Sequence, residues 1–290
     1  KTQLHGMLWE PEGVAVRAVL QICHGVAEHI ARYDGFARAL NEQGIVVAGH
    51  DHLGHGKSLP EGGTPVYFGQ GSTWNTVVDD IYILHQRLKQ RYPDVPLCIM
   101  GHSMGSFLTR TYLIRYPGTV KAAVIMGTGW QPQAAITGGL ALANAIAAVS
   151  GENATSELVT ELAFGSYNKL FAPNRTKVDW LSADESNVDD YIADPLCGAD
   201  ATVGLFRQML HGIRFNQRQS HLRQMDREMP VLFVAGDKDP VGNCGKGVRQ
   251  TYDAFRAAGM RDCTLKLYPG LRHEILNEKA YTADITKNIE

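Results

Sequence analysis

The 290-residue chain lacks a dominant charge: 28 lysines and arginines stand against 30 aspartates and glutamates, for a net charge of −2. That balance removes the electrostatic case for nucleic acid as a partner, and for a polybasic membrane-binding patch. No apolar run reaches the roughly 18 residues of a membrane-spanning helix. No signal peptide is legible at the start, which is Lys1 rather than a methionine. Cysteine is scarce and unpatterned. Five residues (Cys23, Cys98, Cys197, Cys244 and Cys263) form no C-x-x-C pair, which speaks against a disulfide framework and for a reducing compartment, the cytoplasm. Internal repeats and low-complexity tracts are absent too. Hydrophobic residues make up 44% of the chain and charged ones only 20%, enough for a large core in one or two domains.

What is present is an alternation of strand-like and helix-like segments. Thr2 to Trp9 reads as a strand, Pro11-Glu12-Gly13 as a turn, and Ala18 to Cys23 as a buried strand. A helix carries Tyr33, Phe36, Ala37 and Leu40 on one face and stops at Gly44; Ile45 to Ala48 is the next strand. Trp74 to Tyr92 is the clearest helix, with Trp74, Val77, Val78, Ile81, Leu84 and Leu88 on one side, Ser72 or Thr73 as its cap and Pro93 beyond it. Strands follow over 97–101 and Val120 to Met126. After a long break come a strand over Val231 to Ala235, a helix near Lys246 to Ala258, a strand over Thr264 to Tyr268 and a final helix after His273. Such alternation predicts an α/β fold, a mostly parallel sheet with helices on both faces. The mainly helical stretch 128–221 interrupts a core made of 1–127 and 222–290. We expect it to be a cap inserted over the carboxyl ends of the strands.

The chemistry centres on Leu97-Cys98-Ile99-Met100-Gly101-His102-Ser103-Met104-Gly105, a buried strand running into G-x-S-x-G and then a helix. This is the pattern of a nucleophile elbow, in which glycines two residues to either side make room for a serine on strained backbone. A serine hydroxyl needs a base and the base needs an orienting acid, and in this kind of fold they follow in the order serine, acid, histidine. Gly236-Asp237-Lys238-Asp239 supplies two acids after one strand, and Arg272-His273-Glu274 a histidine after the next. Asp239, deeper in its loop, is the expected acid. Asp237, its rival, reads as turn chemistry. The backbone N–H groups of Met104 and of Val26, in the turn His24-Gly25-Val26, are the expected oxyanion donors. His50-Asp51-His52-Leu53-Gly54-His55 imitates a zinc cluster, but Gly54 stands where metallohydrolases of that kind carry an aspartate. We read it as a structural loop whose histidines bond the backbone, and expect neither metal nor cofactor.

With these residues in view the chain resembles the α/β-hydrolases of the monoacylglycerol lipase and lysophospholipase group. His24-Gly25-Val26-Ala27-Glu28-His29 is similar to that group's H-G-x-x-E-H, and Asp51 to Ser58 to its D-x-x-G-H-G-x-S loop. The G-H-S-M-G segment and the acid and histidine loops also match. The resemblance implies an α/β-hydrolase fold with Ser103 as nucleophile, Asp239 as acid, His273 as base, and Val26 and Met104 as the oxyanion hole. Within the cap only Asp194-Pro195-Leu196 is similar. Members usually begin with one more strand than is found before Thr2, so we expect the chain to start inside its first hairpin.

The apolar stretch Ala134 to Val149 is too short and broken by glycine to span a bilayer. Two readings stay open for it: a lid helix lining an acyl tunnel and touching lipid, or a small-residue helix packed on the core. His24, Trp130, Tyr191 and Phe206 are candidate substrate contacts, with Phe164 and Phe215 on the same footing. Cys244 lies either near the site or buried and inert. The expected substrate is a monoacylglycerol or similar ester with an apolar acyl chain. A short-chain carboxylesterase, a thioesterase or an N-terminal aminopeptidase would use the same scaffold, and a non-catalytic binding protein or a zinc enzyme stand further off.

Overall fold

The computed structural model describes residues 2–278, 286 and 287. Seven strands, β1 (Gly6–Trp9), β2 (Ala18–Cys23), β3 (Ile45–His50), β4 (Leu97–His102), β5 (Ala123–Met126), β6 (Val231–Gly236) and β7 (Cys263–Tyr268), form one sheet in the order β1-β3-β2-β4-β5-β6-β7. Only β1 runs antiparallel, paired to β3; all other neighbours are parallel. The register sets Cys23 beside Gly101, and His102 beside Met126. The ends of β2, β4 and β5 therefore share one rim.

Successive side chains of each central strand enter different cores, as a sheet covered on both faces requires. Val19, Ile99, Ile125 and Phe233 pack on one side with α2 (Trp74–Arg91) and α3 (Met104–Arg115). Leu20, Met100, Val124 and Val234 pack on the other with Phe36, Ala37 and Leu40 of α1 (Asp34–Glu42). Helix α2 opens on the expected Thr73 cap, which accepts the Thr76 N–H while Thr76 returns the bond. Strand β1 is shorter than the expected Thr2 to Trp9, because its one neighbour ends where His50 pairs with Gly6. Every residue of α3 from Met104 to Ile114 is buried. That helix lies between the sheet and the insertion and needs no polar face.

Between β5 and β6 the chain forms α4 (Gln133–Ser150), α5 (Glu157–Thr160), α6 (Ser166–Lys169), α7 (Glu185–Ala193), α8 (Val203–Asn216) and α9 (Gln219–Leu222), with a wide π-helical turn over Glu161–Gly165. Helix α4 is more continuous than its sequence reads. Its 18 residues run straight through Gly138 and Gly139, which makes it long and apolar enough, by length and composition alone, to cross a membrane. Gly139 serves the close packing of α4 on α8, where a Cβ would press on Leu210, whereas Gly138 faces open space. Helix α10 (Lys246–Ala258) then leads to β7. After His273 the described chain makes a single 3-10 turn, Ile275–Asn277. The remainder of the expected final helix lies outside the described residues, apart from a helical fragment at 286 and 287.

Candidate active site

Ser103 stands between β4 and α3 with φ 53° and ψ −123°, a left-handed conformation that costs about 1–3 kcal/mol for a non-glycine residue. The surroundings hold it there. Its N–H donates to the Met126 carbonyl at 3.0 Å, and its own carbonyl accepts from the Ser106 hydroxyl at 2.6 Å. The flanking glycines are needed for space. A Cβ on Gly101 would run into the Gly105 carbonyl, and one on Gly105 into the Cys23 carbonyl.

The loops after β6 and β7 meet at the same rim. His273 Nδ1 lies 3.0 Å from Asp239 Oδ2, and both side chains are almost completely buried. Asp239 Oδ1 accepts the Val241 N–H at 2.9 Å, which fixes the carboxylate. Asp237 is half exposed and accepts the Gly270 N–H at 2.8 Å, joining the two loops as turn chemistry would. Trp180, from the insertion, lies against His273 with ring centroids 5.1 Å apart.

Behind this group sits a buried ionic cluster that our reading of the sequence did not anticipate. Arg32 donates to Glu274 at 2.6 and 2.8 Å and to Glu28 at 3.1 Å. Glu28 also accepts the Gly25 N–H at 2.5 Å and the Tyr33 hydroxyl at 3.0 Å, and faces His102 Nδ1 at 3.1 Å. Burial by itself would raise the Glu28 carboxyl, but His102 and Arg32 outweigh it and hold the group well below the carboxylate range. Burial likewise works against a charged His102. The Glu28 carboxylate and the His273 carbonyl, 3.2 Å from Nε2, accept from both ring nitrogens and raise it. The signal lay in the motifs themselves: the glutamate of H-G-x-x-E-H, the histidine before Ser103 and the glutamate after His273.

Ser103 opens onto two cavities. One, of about 710 Å³, is lined by Ser103 and His273 together with Gly25, Glu28, Glu161, Asn168, Lys177 and Asp200. The other, of about 620 Å³, is lined by Ser103, Met104, Phe107, Ile136, Leu142, Val159, Met209 and Ile213. Val26, Phe164 and Trp180 border both. Trp130 and Phe206 line the apolar cavity as expected. Tyr191 borders the polar one, while its hydroxyl donates to the Ala27 carbonyl at 3.1 Å. Two expectations fail. His24 has no exposed surface and borders neither cavity, because its ring is held between the Gly25 carbonyl and the His52 N–H. Phe215 lies tilted against His221, with ring centroids 4.1 Å apart, and borders neither cavity. Cys244 is exposed and borders neither.

Residues 14–280 match the family described as serine aminopeptidase, S33. The chain belongs to that family. This α/β-hydrolase is 32% identical over 276 residues to a monoacylglycerol lipase of Mycolicibacterium smegmatis, a match covering 93% of the chain and 86% of the relative. It is 29% identical to the monoglyceride lipase of Mus musculus, across 93% of the chain and 79% of the relative. Its fold superposes on a thermostable carboxyl esterase from Bacillus coagulans with a TM-score of 0.90 at 26% identity, covering 98% and 91% of the two chains. The chain is a serine ester hydrolase.

The histidine loop of this hydrolase bonds its surroundings only in part as expected. Asp51 organises it, accepting the Ile30 and Lys57 N–H groups at 2.8 Å each and facing His5 Nδ1 at 3.0 Å. His55 meets the Leu53 carbonyl at 2.9 Å. The ring nitrogens of His50 and His52, by contrast, have no partner among the described residues. Burial keeps these rings neutral, lowering His24 to about 3 and His50 to about 4, and His52 and His55 in the same direction.

Proposed function

We propose that the chain hydrolyses monoacylglycerols or similar single-chain esters of medium or long acyl length, with Ser103 as nucleophile, His273 as base and Asp239 as the acid that orients it. The observation that carries this reading is the meeting of two cavities at Ser103, one walled mostly by apolar side chains and the other bordered also by Glu161, Asn168, Lys177 and Asp200, with the hydrogen-bonded His273–Asp239 pair on the same rim. The acyl chain occupies the apolar cavity and the polyol the polar one. His273 takes the Ser103 proton as Oγ attacks the ester carbonyl, and Asp239 holds the imidazole in the required tautomer and stabilises its charged form. The oxyanion is held by the N–H groups of Met104 and Val26, since that of Gly25 is committed to Glu28. The C–O bond to the alcohol breaks as His273 returns the proton to the leaving oxygen. Water, deprotonated by His273, then releases the carboxylic acid and restores Ser103. No step calls for a metal or cofactor.

The helical insertion acts in this reading as a cap that also touches lipid. Val149, Leu158, Leu162, Leu170, Ile192 and Leu196 are all exposed on it, six large apolar side chains available to lipid. The five free thiols support a cytoplasmic setting.

The test is a chain-length series of esters, run beside an aminoacyl amide with Ser103→Ala as the blank. Burying one methylene is worth about 0.8 kcal/mol. The specificity constant kcat/KM should therefore climb by up to about fourfold per methylene until the apolar cavity is full. A maximum at acetate would replace the lipase reading with a short-chain carboxylesterase. Preference for the amide would install an aminopeptidase, a reading favoured by the family description and by Glu161 and Asp200, which could anchor an amine in the polar cavity.

A further inference from the structure

His29, Asp194 and Cys197 are brought together from opposite halves of the molecule. His29 closes the loop that carries Gly25, Val26 and Ala27, whereas Asp194 and Cys197 lie just beyond α7 of the insertion. His29 Nε2 is 2.8 Å from Asp194 Oδ2, and one imidazole nitrogen, one carboxylate oxygen and the thiol sulfur all lie within 4.8 Å of one another. Bonds of about 2.0–2.3 Å to a tetrahedral ion place its donors roughly 3.3–3.8 Å apart, so small side-chain adjustments suffice. Among the described residues no other group of three such side chains comes this close.

The donors are already oriented. Asp194 Oδ1 accepts the Leu196 N–H at 2.9 Å, its carbonyl accepts the Cys197 N–H at 3.0 Å, and Gly198 N–H donates to the Ala27 carbonyl at 2.9 Å. Glu28, Glu274 and Asp194 all lie near the guanidinium of Arg32, with His102 facing Glu28 on its other side. Burial, with those carboxylates adding to it and Arg32 opposing, pushes the Cys197 thiol up to about 12, so without a cation it holds its proton. Imidazole, carboxylate and thiolate together suit zinc rather than calcium or magnesium.

We propose that His29, Asp194 and Cys197 form a zinc site, completed by water from the polar cavity that Cys197 borders, which fastens the insertion to the loop carrying Val26. On binding, Sγ forms a bond to the ion and its proton passes to solvent. The nitrogen and oxygen donate lone pairs, and nothing is oxidised or reduced.

The experiment uses the whole protein, stripped with a chelator and titrated with Co²⁺ and then Zn²⁺. One equivalent of Co²⁺ should produce a thiolate-to-cobalt charge-transfer band with the visible bands of a tetrahedral ion, and Zn²⁺ should displace it. Cys197→Ser should lose the charge-transfer band, and His29→Gln and Asp194→Asn should each weaken Zn²⁺ binding by about tenfold or more. Zn²⁺ should raise the Tm of the parent protein but not that of Cys197→Ser. Because His29 and Asp194 also pair with each other, the Cys197→Ser variant, which breaks no hydrogen bond described here, decides the case should the other two fold poorly. Absence of the charge-transfer band, or equal Zn²⁺ affinity in the parent and Cys197→Ser, overturns the proposal. Neither outcome depends on which ester is cleaved.

Discussion

In the proposed mechanism Asp239 is a side chain that can be removed from the chemistry without removing it from the fold. Asparagine keeps its size and one acceptor but presents an amide where His273 Nδ1–H expects a carboxylate. In serine hydrolases built this way the equivalent change costs about 10⁴ in kcat. Asp239→Asn should lower kcat on a p-nitrophenyl ester by roughly 10³–10⁴-fold, with the Tm nearly unchanged. Glu28→Gln should behave in the opposite way at first sight. It strips a buried charge from Arg32 and His102, and breaking such a pair costs about 3–5 kcal/mol, so thermal unfolding should shift down markedly before any kinetic loss is counted. The difference in legibility between these residues is physical. Asp239 and His273 can be found by following strand ends along the chain. Arg32 and Glu274 pair across 242 positions, and Trp180 reaches His273 from inside the insertion. Neither contact has a local pattern.

Among the elements, the ends of β2 and β3 with their loops carry the pH dependence. His24, His50, His52 and His55 are held neutral by burial, whereas in the unfolded chain they gain protons below about pH 6.5. A base whose folded pKa is depressed adds stability above its unfolded value, and that stability is lost as pH falls towards the folded value. Stability should therefore decline from about pH 6.5 towards pH 4, by up to about 1.4 kcal/mol per pH unit for each histidine. His102, raised instead, contributes in the opposite sense and partly offsets the slope. His50→Leu removes a ring with two unpartnered nitrogens. Urea unfolding at pH 5 and pH 7 should show a shallower slope for this variant, with neutral stability within about 1.5 kcal/mol of the parent. A slope unchanged from the parent would remove His50 from the account. Elements with a periodic face, α1 and α2, were legible to within a residue or two. Helix α4 was harder, because Gly139, which looks like a break in the text, is a site of close packing on α8.

At the scale of the whole molecule, the parallel sheet followed from alternating strands and helices, and the interruption after β5 pointed to the insertion. The two cavities could not be read in this way, since their walls come from segments a hundred residues apart. The surface they open beneath is testable. Val149→Asp combined with Leu158→Asp, both exposed and bordering neither cavity, should reduce sedimentation with phospholipid vesicles several-fold, while turnover of a water-soluble ester stays near the parent value. Equal sedimentation of both proteins would separate the exposed apolar surface from lipid contact.

The bonds that Tyr191 and Gly198 make to the Ala27 carbonyl act as a mechanical interlock. An outward swing of that part of the insertion has to release the Ala27 carbonyl, one residue beyond Val26, whose N–H we assign to the oxyanion. Under the proposed assignment of Val26, admission and catalysis become alternating states of one latch. An enzyme caught with this side ajar would be accessible but idle, protected from spending a reactive serine on whatever drifts in.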